Sequence, residues 1–145
     1  MMRYLIVVIL QILLISAQAQ AQADIVVVVN PNSKLTELTQ QQIIDIYMGR
    51  TQTLADGSKL VPYDQPMDSA IRVAFYQSLT GKSLASINAY WARLLFTGRA
   101  SPPRQLSDNM RLVDILEKDL NAIGYMDSID LNDRVSVVFK ITIDE

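Results

Sequence analysis

Ile25-Val26-Val27-Val28-Val29-Asn30-Pro31-Asn32 decides the fold. An unbroken apolar run this short, closed by Asn-Pro-Asn, reads as a β-strand buried on both faces and ended by a turn. Helix and strand signals then interleave along the rest of the chain. Thr39 to Met48 is a short helix: Thr39 and Gln42 form a capping box, Leu38 and Ile43 the hydrophobic staple, and Ile43, Ile44, Tyr47 and Met48 one face, with Gly49 ending it. Asp56-Gly57 marks a tight turn and Leu60-Val61 a short strand. Three more helices follow from spacing. Ile71, Ala74, Phe75 and Leu79 share a face after Asp68 or Ser69 as cap; Leu84, Ile87, Trp91, Leu94 and Leu95 share one after Ser83; Leu112, Val113, Leu116 and Leu120 share one between about Asp108 and Leu120. Thr97 to Ser107, with Gly98, Pro102 and Pro103, is a loop. Ile123 to Met126 is a second short strand, and Val135, Val137, Phe139, Ile141 and Ile143 alternate as the inward side of a half-exposed strand. The whole is an α/β domain with a small mixed sheet.

Upstream of the first strand, Arg3 precedes an apolar run from Tyr4 to Ile15 and a small, polar stretch from Ser16 to Ala23. This is the pattern of a secretory signal peptide. The run is shorter than the roughly 20 residues that cross a bilayer. Cleavage after Ala19, Ala21 or Ala23 satisfies the small-x-small rule; the site after Ala23 is favoured because the strand starts immediately beyond it, leaving a single domain over residues 24–145. The expected location is periplasmic.

With 13 Lys and Arg against 15 Asp and Glu, and Arg3 lost with the leader, the exported part is slightly acidic. It has neither the basic face that nucleic acid demands nor a polybasic cluster for anionic lipids. There is no Cys and no His. The domain must therefore hold by packing without disulfides, and thiol nucleophiles, Ser-His triads and His/Cys metal sites are all excluded. No enzyme activity, metal or other cofactor is expected.

The chemistry that remains lies in Pro62-Tyr-Asp-Gln-Pro-Met-Asp-Ser-Ala-Ile-Arg-Val-Ala-Phe75. A short polar loop runs directly into an amphipathic helix, where unpaired amides and the positive end of the helix dipole favour an anion. Ser69 and Arg72 are the side chains best placed to assist, with Ser69 as a cap or first-turn residue otherwise. Arg50, Arg72, Arg99 and Arg104 otherwise read as solvated surface charges. Asp64 and Asp68 serve as turn and cap residues or pair across the loop. Gly81-Lys82-Ser83 matches the tail of a P-loop without its leading glycine, and is a helix-to-helix turn. Tyr90, Trp91 and Phe96 are core aromatics or a platform.

The order of segments resembles the carboxy-proximal lobe of phosphate-type periplasmic substrate-binding proteins, the receptors of phosphate ABC transporters. Val26 to Pro31 resembles the strand that crosses between lobes. Leu38-Thr39 through Ile46-Tyr47-Met48-Gly49-Arg50 is similar to a "Leu-Thr … Ile-Phe-x-Gly-Lys" helix, Asp56 to Phe75 to the phosphate-loop region, and Ala122-Ile123-Gly124-Tyr125 to an "Ala-Ile-Gly-Tyr" strand. The resemblance implies a single lobe of a type 2 periplasmic-binding-protein-like fold, its small mixed sheet flanked by the helices above. It also implies a ligand loop at Gln65, Asp68, Ser69, Ala70, Ile71 and Arg72, matched to Arg-x-x-Gly-Ser-Gly-Thr and its flank. Only the serine is kept. Gln65 replaces a charged fork, a change worth roughly 1.5–3 kcal/mol, and Asp68 and Ala70 replace glycines. Recognition of phosphate or another small oxyanion is then expected to be weak, or to need a homodimer or envelope partner that supplies the missing lobe. The alternative is an envelope protein-interaction module that has lost its ligand.

Overall fold

The computed structural model describes residues 23–108 and 110–143. The leader read from the sequence lies outside them, apart from Ala23. Five strands form one open sheet in the order β3-β2-β4-β1-β5: β1 Ile25–Val29, β2 Val61–Asp64, β3 Arg104–Gln105, β4 Ala122–Asp127 and β5 Ser136–Ile141. β2 runs parallel to β3 and β4, whereas β1 is antiparallel to both its neighbours, so the sheet is mixed as expected. β1 is buried at all five positions because both its edges are paired and both its faces are covered. Val27 and Val29 face helices α1 (Gln40–Tyr47), α2 (Ala70–Thr80) and α3 (Leu84–Phe96), while Val26 and Val28 face α4 (Arg111–Lys118).

Local capping sets where these helices begin. Thr39 Oγ1 accepts from the Gln42 amide at 3.2 Å and the Gln42 side chain accepts from the Thr39 amide at 2.8 Å, completing the capping box. The Ser69 and Ser83 hydroxyls accept from the Arg72 and Ser86 amides and so cap α2 and α3 one-sidedly, and Gly81 closes α2 at φ 68°, so Gly81-Lys82-Ser83 is a turn between two helices. Gly49 follows α1 at φ 75°, and a Cβ there would lie 2.6 Å from the Trp91 ring, so backbone and packing both require glycine. Asn30, after β1, donates to the carbonyls of Leu116 and Glu117 and thereby closes the last turn of α4.

Three expectations need correction. Val137 is exposed, whereas Val135, Val138 and Ile141 are buried. The cause is a bulge: Val27 pairs with Phe139 and Val28 with Val137, so Val138 is an extra residue and the inward parity flips. The Val138 carbonyl accepts from the Leu38 amide at 2.9 Å, so the bulge anchors the segment entering α1. Leu95 and Leu120 are exposed. α3 buries Ile87 and Trp91 only, and α4 ends at Lys118, before Leu120. Thr97 to Ser107 is not all loop, since Arg104 and Gln105 pair with Tyr63 and Asp64.

Gly124 of β4 has no room for a side chain, because an added Cβ would sit 2.4 Å from Leu112 Cδ1. That close approach lets α4 lie on the sheet. Gly124→Val should lower stability by about 1–3 kcal/mol through overpacking, read as a lower urea midpoint.

Candidate functional site

β2 delivers Asp64 to the edge of the polar turn, and the next helix starts at Ala70. Asp64 is only 4% exposed. Its Oδ1 accepts from the Tyr125 hydroxyl at 2.5 Å and the Gln65 amide at 2.9 Å; its Oδ2 accepts from Arg72 Nε at 2.9 Å and the Tyr76 hydroxyl at 3.0 Å. A buried carboxylate needs this many donors to remain charged without large cost. Arg72, 5% exposed, lies 5.4 Å from the Tyr76 ring centroid and also donates through Nη2 to Asn88 at 3.1 Å. Burial works against the Arg72 charge, but the hydrogen bond and charge of Asp64 outweigh it and raise its proton affinity. Tyr47, Tyr76 and Tyr125 are pushed well above the usual phenol range, chiefly by burial and then by neighbouring negative charge. Tyr76 and Tyr125 therefore stay neutral and remain donors to Asp64.

The six residues of the expected ligand loop divide into three groups. Gln65 is buried and donates through Nε2 to the Tyr125 carbonyl at 2.6 Å, so its side chain ties the turn to β4. Asp68 is exposed in the turn. Ser69, Ala70, Ile71 and Arg72 form the start of α2, where Ser69 Oγ accepts from the Arg72 amide at 3.3 Å. The Ala70 and Ile71 amides have no acceptor among the described residues. That leaves two donors at the positive end of an 11-residue helix.

Beside the turn is a cleft of about 640 Å³ lined by Asp64, Met67, Arg72, Asn88, Trp91 and Pro103, among others. Arg72 Nη1 and Trp91 Nε1 are buried without an acceptor among the described residues. The sequence offers Arg72 as an anion-assisting side chain or a solvated surface charge, and Asp64 as a turn residue or partner of Asp68. The structure joins Asp64 to Arg72 instead. One signal was present: Arg72 lies three and seven residues before Phe75 and Leu79, on the helix face that those residues bury. Tyr76, Asn88 and Tyr125 carried no such signal. Of the aromatics, Trp91 is core, Tyr90 is half-buried and bonds the Met48 carbonyl at 2.7 Å, and Phe96 is 93% exposed. Among the described residues no group of three or more acidic side chains is placed to hold a metal, and no helix is long and apolar enough to cross a membrane.

No protein-family model matches the sequence, and no curated protein matches it. The fold is similar to that of an ABC-type phosphate transport receptor from Vibrio cholerae, with a TM-score of 0.63 and 16% identity over 81% of this chain and 47% of the receptor. It is similar, with a TM-score of 0.63 and 21% identity, to a structure from Clostridium perfringens assigned as a phosphate ABC transporter substrate-binding protein, which holds bound phosphate; the match covers 81% of this chain and 46% of that one. PstS from Borrelia burgdorferi matches at a TM-score of 0.52 and 15% identity, over 72% and 41%. The chain thus spans under half the length of these structures. At such identities the likeness concerns the fold: the chain has the α/β architecture of one lobe of a periplasmic-binding-protein-like structure.

Proposed function

We propose that the chain is an exported, periplasmic, non-enzymatic binding module that takes a small oxyanion, inorganic phosphate first, at the turn and helix start spanning Gln65 to Arg72. The observation that carries this reading is the pair of acceptor-free amides, Ala70 and Ile71, at the N-terminus of α2. Such a terminus attracts anions through its amides and its dipole. The Ser69 hydroxyl is within the same turn, and the likeness to phosphate receptors supports the choice of ion.

The same geometry keeps the affinity low. Asp64 neutralises Arg72, exposed Asp68 adds a negative charge beside the site, and a single lobe leaves one side of the ion in water, where hydrogen bonds gain little. A second copy of the chain covering the ion would restore what is missing. Exposed Met67 and Leu95 on the cleft, with Phe96 next to Leu95, favour such a cover and equally favour the second reading, an envelope protein-interaction module without a ligand.

Isothermal titration of the exported chain with phosphate, then sulfate, at low ionic strength tests the first reading. Saturable phosphate binding that weakens by about tenfold in Ser69→Ala, as expected for one lost hydrogen bond to a charged group, supports the site. One ion per two chains identifies the second copy as the cover. No heat from either ion, with a mass that rises with concentration, transfers the role to the interaction module.

A further inference from the structure

At the other end of β2 and β3 from the start of α2 is a second cavity, of about 290 Å³. Lys59 and Arg104 line it together with Thr51 and Ser101, and Leu60 and Pro62 contribute apolar surface; among the described residues no carboxylate lines it. In a chain whose acids outnumber its bases, this is a local reversal of charge. The acids of the flanking segments are already matched elsewhere: Asp45 by Arg50 at 3.1 Å, and Asp56 by Lys34. Lys59 and Arg104 make no ion pair among the described residues. The one polar contact of the Arg104 side chain there is a donation from Nη1 to the Tyr63 hydroxyl at 3.4 Å, which leaves most of its guanidinium donors unused. A concave site lined by one sign of charge over low-dielectric walls concentrates the opposite ion.

Trp91, Pro102 and Pro103 line both this cavity and the cleft beside α2. Trp91 is 6% exposed and its Nε1 has no acceptor among the described residues. Prolines at 62, 102 and 103 also line the cavity and hold its shape. The volume is at the lower end of the range for small-molecule sites, about 300–1,000 Å³, and well beyond what a bare oxyanion needs. The apolar surface also calls for an apolar body.

We propose that this cavity is a second binding site, separate from the α2 terminus, for a small organic anion. The ligand bears a phosphate or carboxylate group held between Lys59 and Arg104, and its apolar body lies against Leu60 and Pro62 beside Trp91.

Trp91 is the single tryptophan of the chain and lines both the cavity and the cleft beside α2, so the part of its fluorescence change that the Lys59→Ala, Arg104→Ala double variant abolishes reports on this cavity. Phenyl phosphate should give a saturable change at millimolar concentration or below, with inorganic phosphate markedly weaker. Lys59→Ala and Arg104→Ala should each weaken phenyl phosphate by about tenfold, the loss expected for one charge-assisted contact, without shifting the melting temperature, since both residues are exposed. Ser69→Ala, which acts at the α2 terminus, should bind phenyl phosphate as the wild type does. The proposal is overturned by unchanged affinity in the Lys59→Ala, Arg104→Ala double variant, or by inorganic phosphate producing, as tightly as phenyl phosphate, the signal that this double variant loses. It is equally overturned by loss of binding in Ser69→Ala, or by no saturable signal in fluorescence and calorimetry alike. Failure of inorganic phosphate at the α2 terminus leaves these outcomes untouched, so the two sites are judged separately.

Discussion

Asp64→Ala lowers the unfolding free energy by about 3–5 kcal/mol, the usual loss when one partner of a buried ion pair is removed. A domain of this size has about 5–15 kcal/mol in all, so the variant gives up a large share of its stability. The magnitude follows from what Asp64 leaves behind. Arg72 keeps its charge in a site where it is 5% exposed, and the Tyr76 and Tyr125 hydroxyls and the Gln65 amide lose the acceptor that all of them share with it. A surface pair such as Lys140–Asp24 has water to replace either partner and would cost little. The double variant Asp64→Leu, Arg72→Met should recover much of the loss, because removing both charges also removes the desolvation problem. Urea unfolding followed by Trp91 fluorescence measures each variant. An Asp64→Ala midpoint close to that of the wild type would mean that Arg72 reaches solvent, and the interior placement of this pair would be wrong.

This network bears on function as well as stability. With Asp64 and Arg72 neutralising one another, the Gln65 to Arg72 segment offers backbone amides and a hydroxyl rather than net positive charge. Two cations without an ion pair among the described residues, Lys59 and Arg104, line the neighbouring cavity instead. An anion attracted by charge and one attracted by a helix terminus would thus be served by different parts of the lobe.

What could be read from the chain depended on how far apart the interacting residues are in sequence. Thr39 with Gln42, Ser69 with the Arg72 amide and Ser83 with the Ser86 amide all act within one helical turn, and those helix starts are visible from spacing alone. The burial of Ile25 to Val29 was equally plain, since a run without polar residues has no solvent side. The parity of β5 was hidden, because the bulge at Val138 is set by pairing with β1 and by a bond to Leu38, both distant in sequence. The stripe on α3 put Leu95 and Ile87 on one face, yet only Ile87 meets other core side chains; how much of a stripe is covered depends on what packs against it. The Asp64–Arg72 pair was missed because its members lie on a strand end and a helix start, and the turn between them can place them together or apart. The candidate loop was found because a helix terminus is a local feature, whereas the partners that tie down Gln65 and Arg72 come from β4 and α3.

Phe75→Ala should cost about 3–5 kcal/mol, the range for truncating a fully buried phenylalanine. Phe75 stacks on Tyr125 with ring centroids 3.6 Å apart and planes within 1°, and meets Tyr47 edge-on at 4.8 Å and Tyr76 at 5.3 Å. Edge-on pairs such as those with Tyr47 and Tyr76 add about 0.5–1.5 kcal/mol beyond the area they bury. Tyr125 and Tyr76 are also the rings whose hydroxyls hold Asp64, so the cavity left by Phe75 loosens the supports of the buried ion pair. Its effect should therefore not add to that of Asp64→Ala: the double variant should lose less than the sum, by a coupling of about 0.5–3 kcal/mol. Phe96→Ser removes the same ring from a position 93% exposed, and should stay within about 0.5 kcal/mol of the wild type. Paired urea titrations of the two variants make the comparison. A large loss for Phe75 with none for Phe96 supports a core centred on the Tyr47, Phe75, Tyr76 and Tyr125 rings. Equal losses would place Phe96 inside the domain and remove the apolar surface that would receive a second copy of the chain or a protein partner.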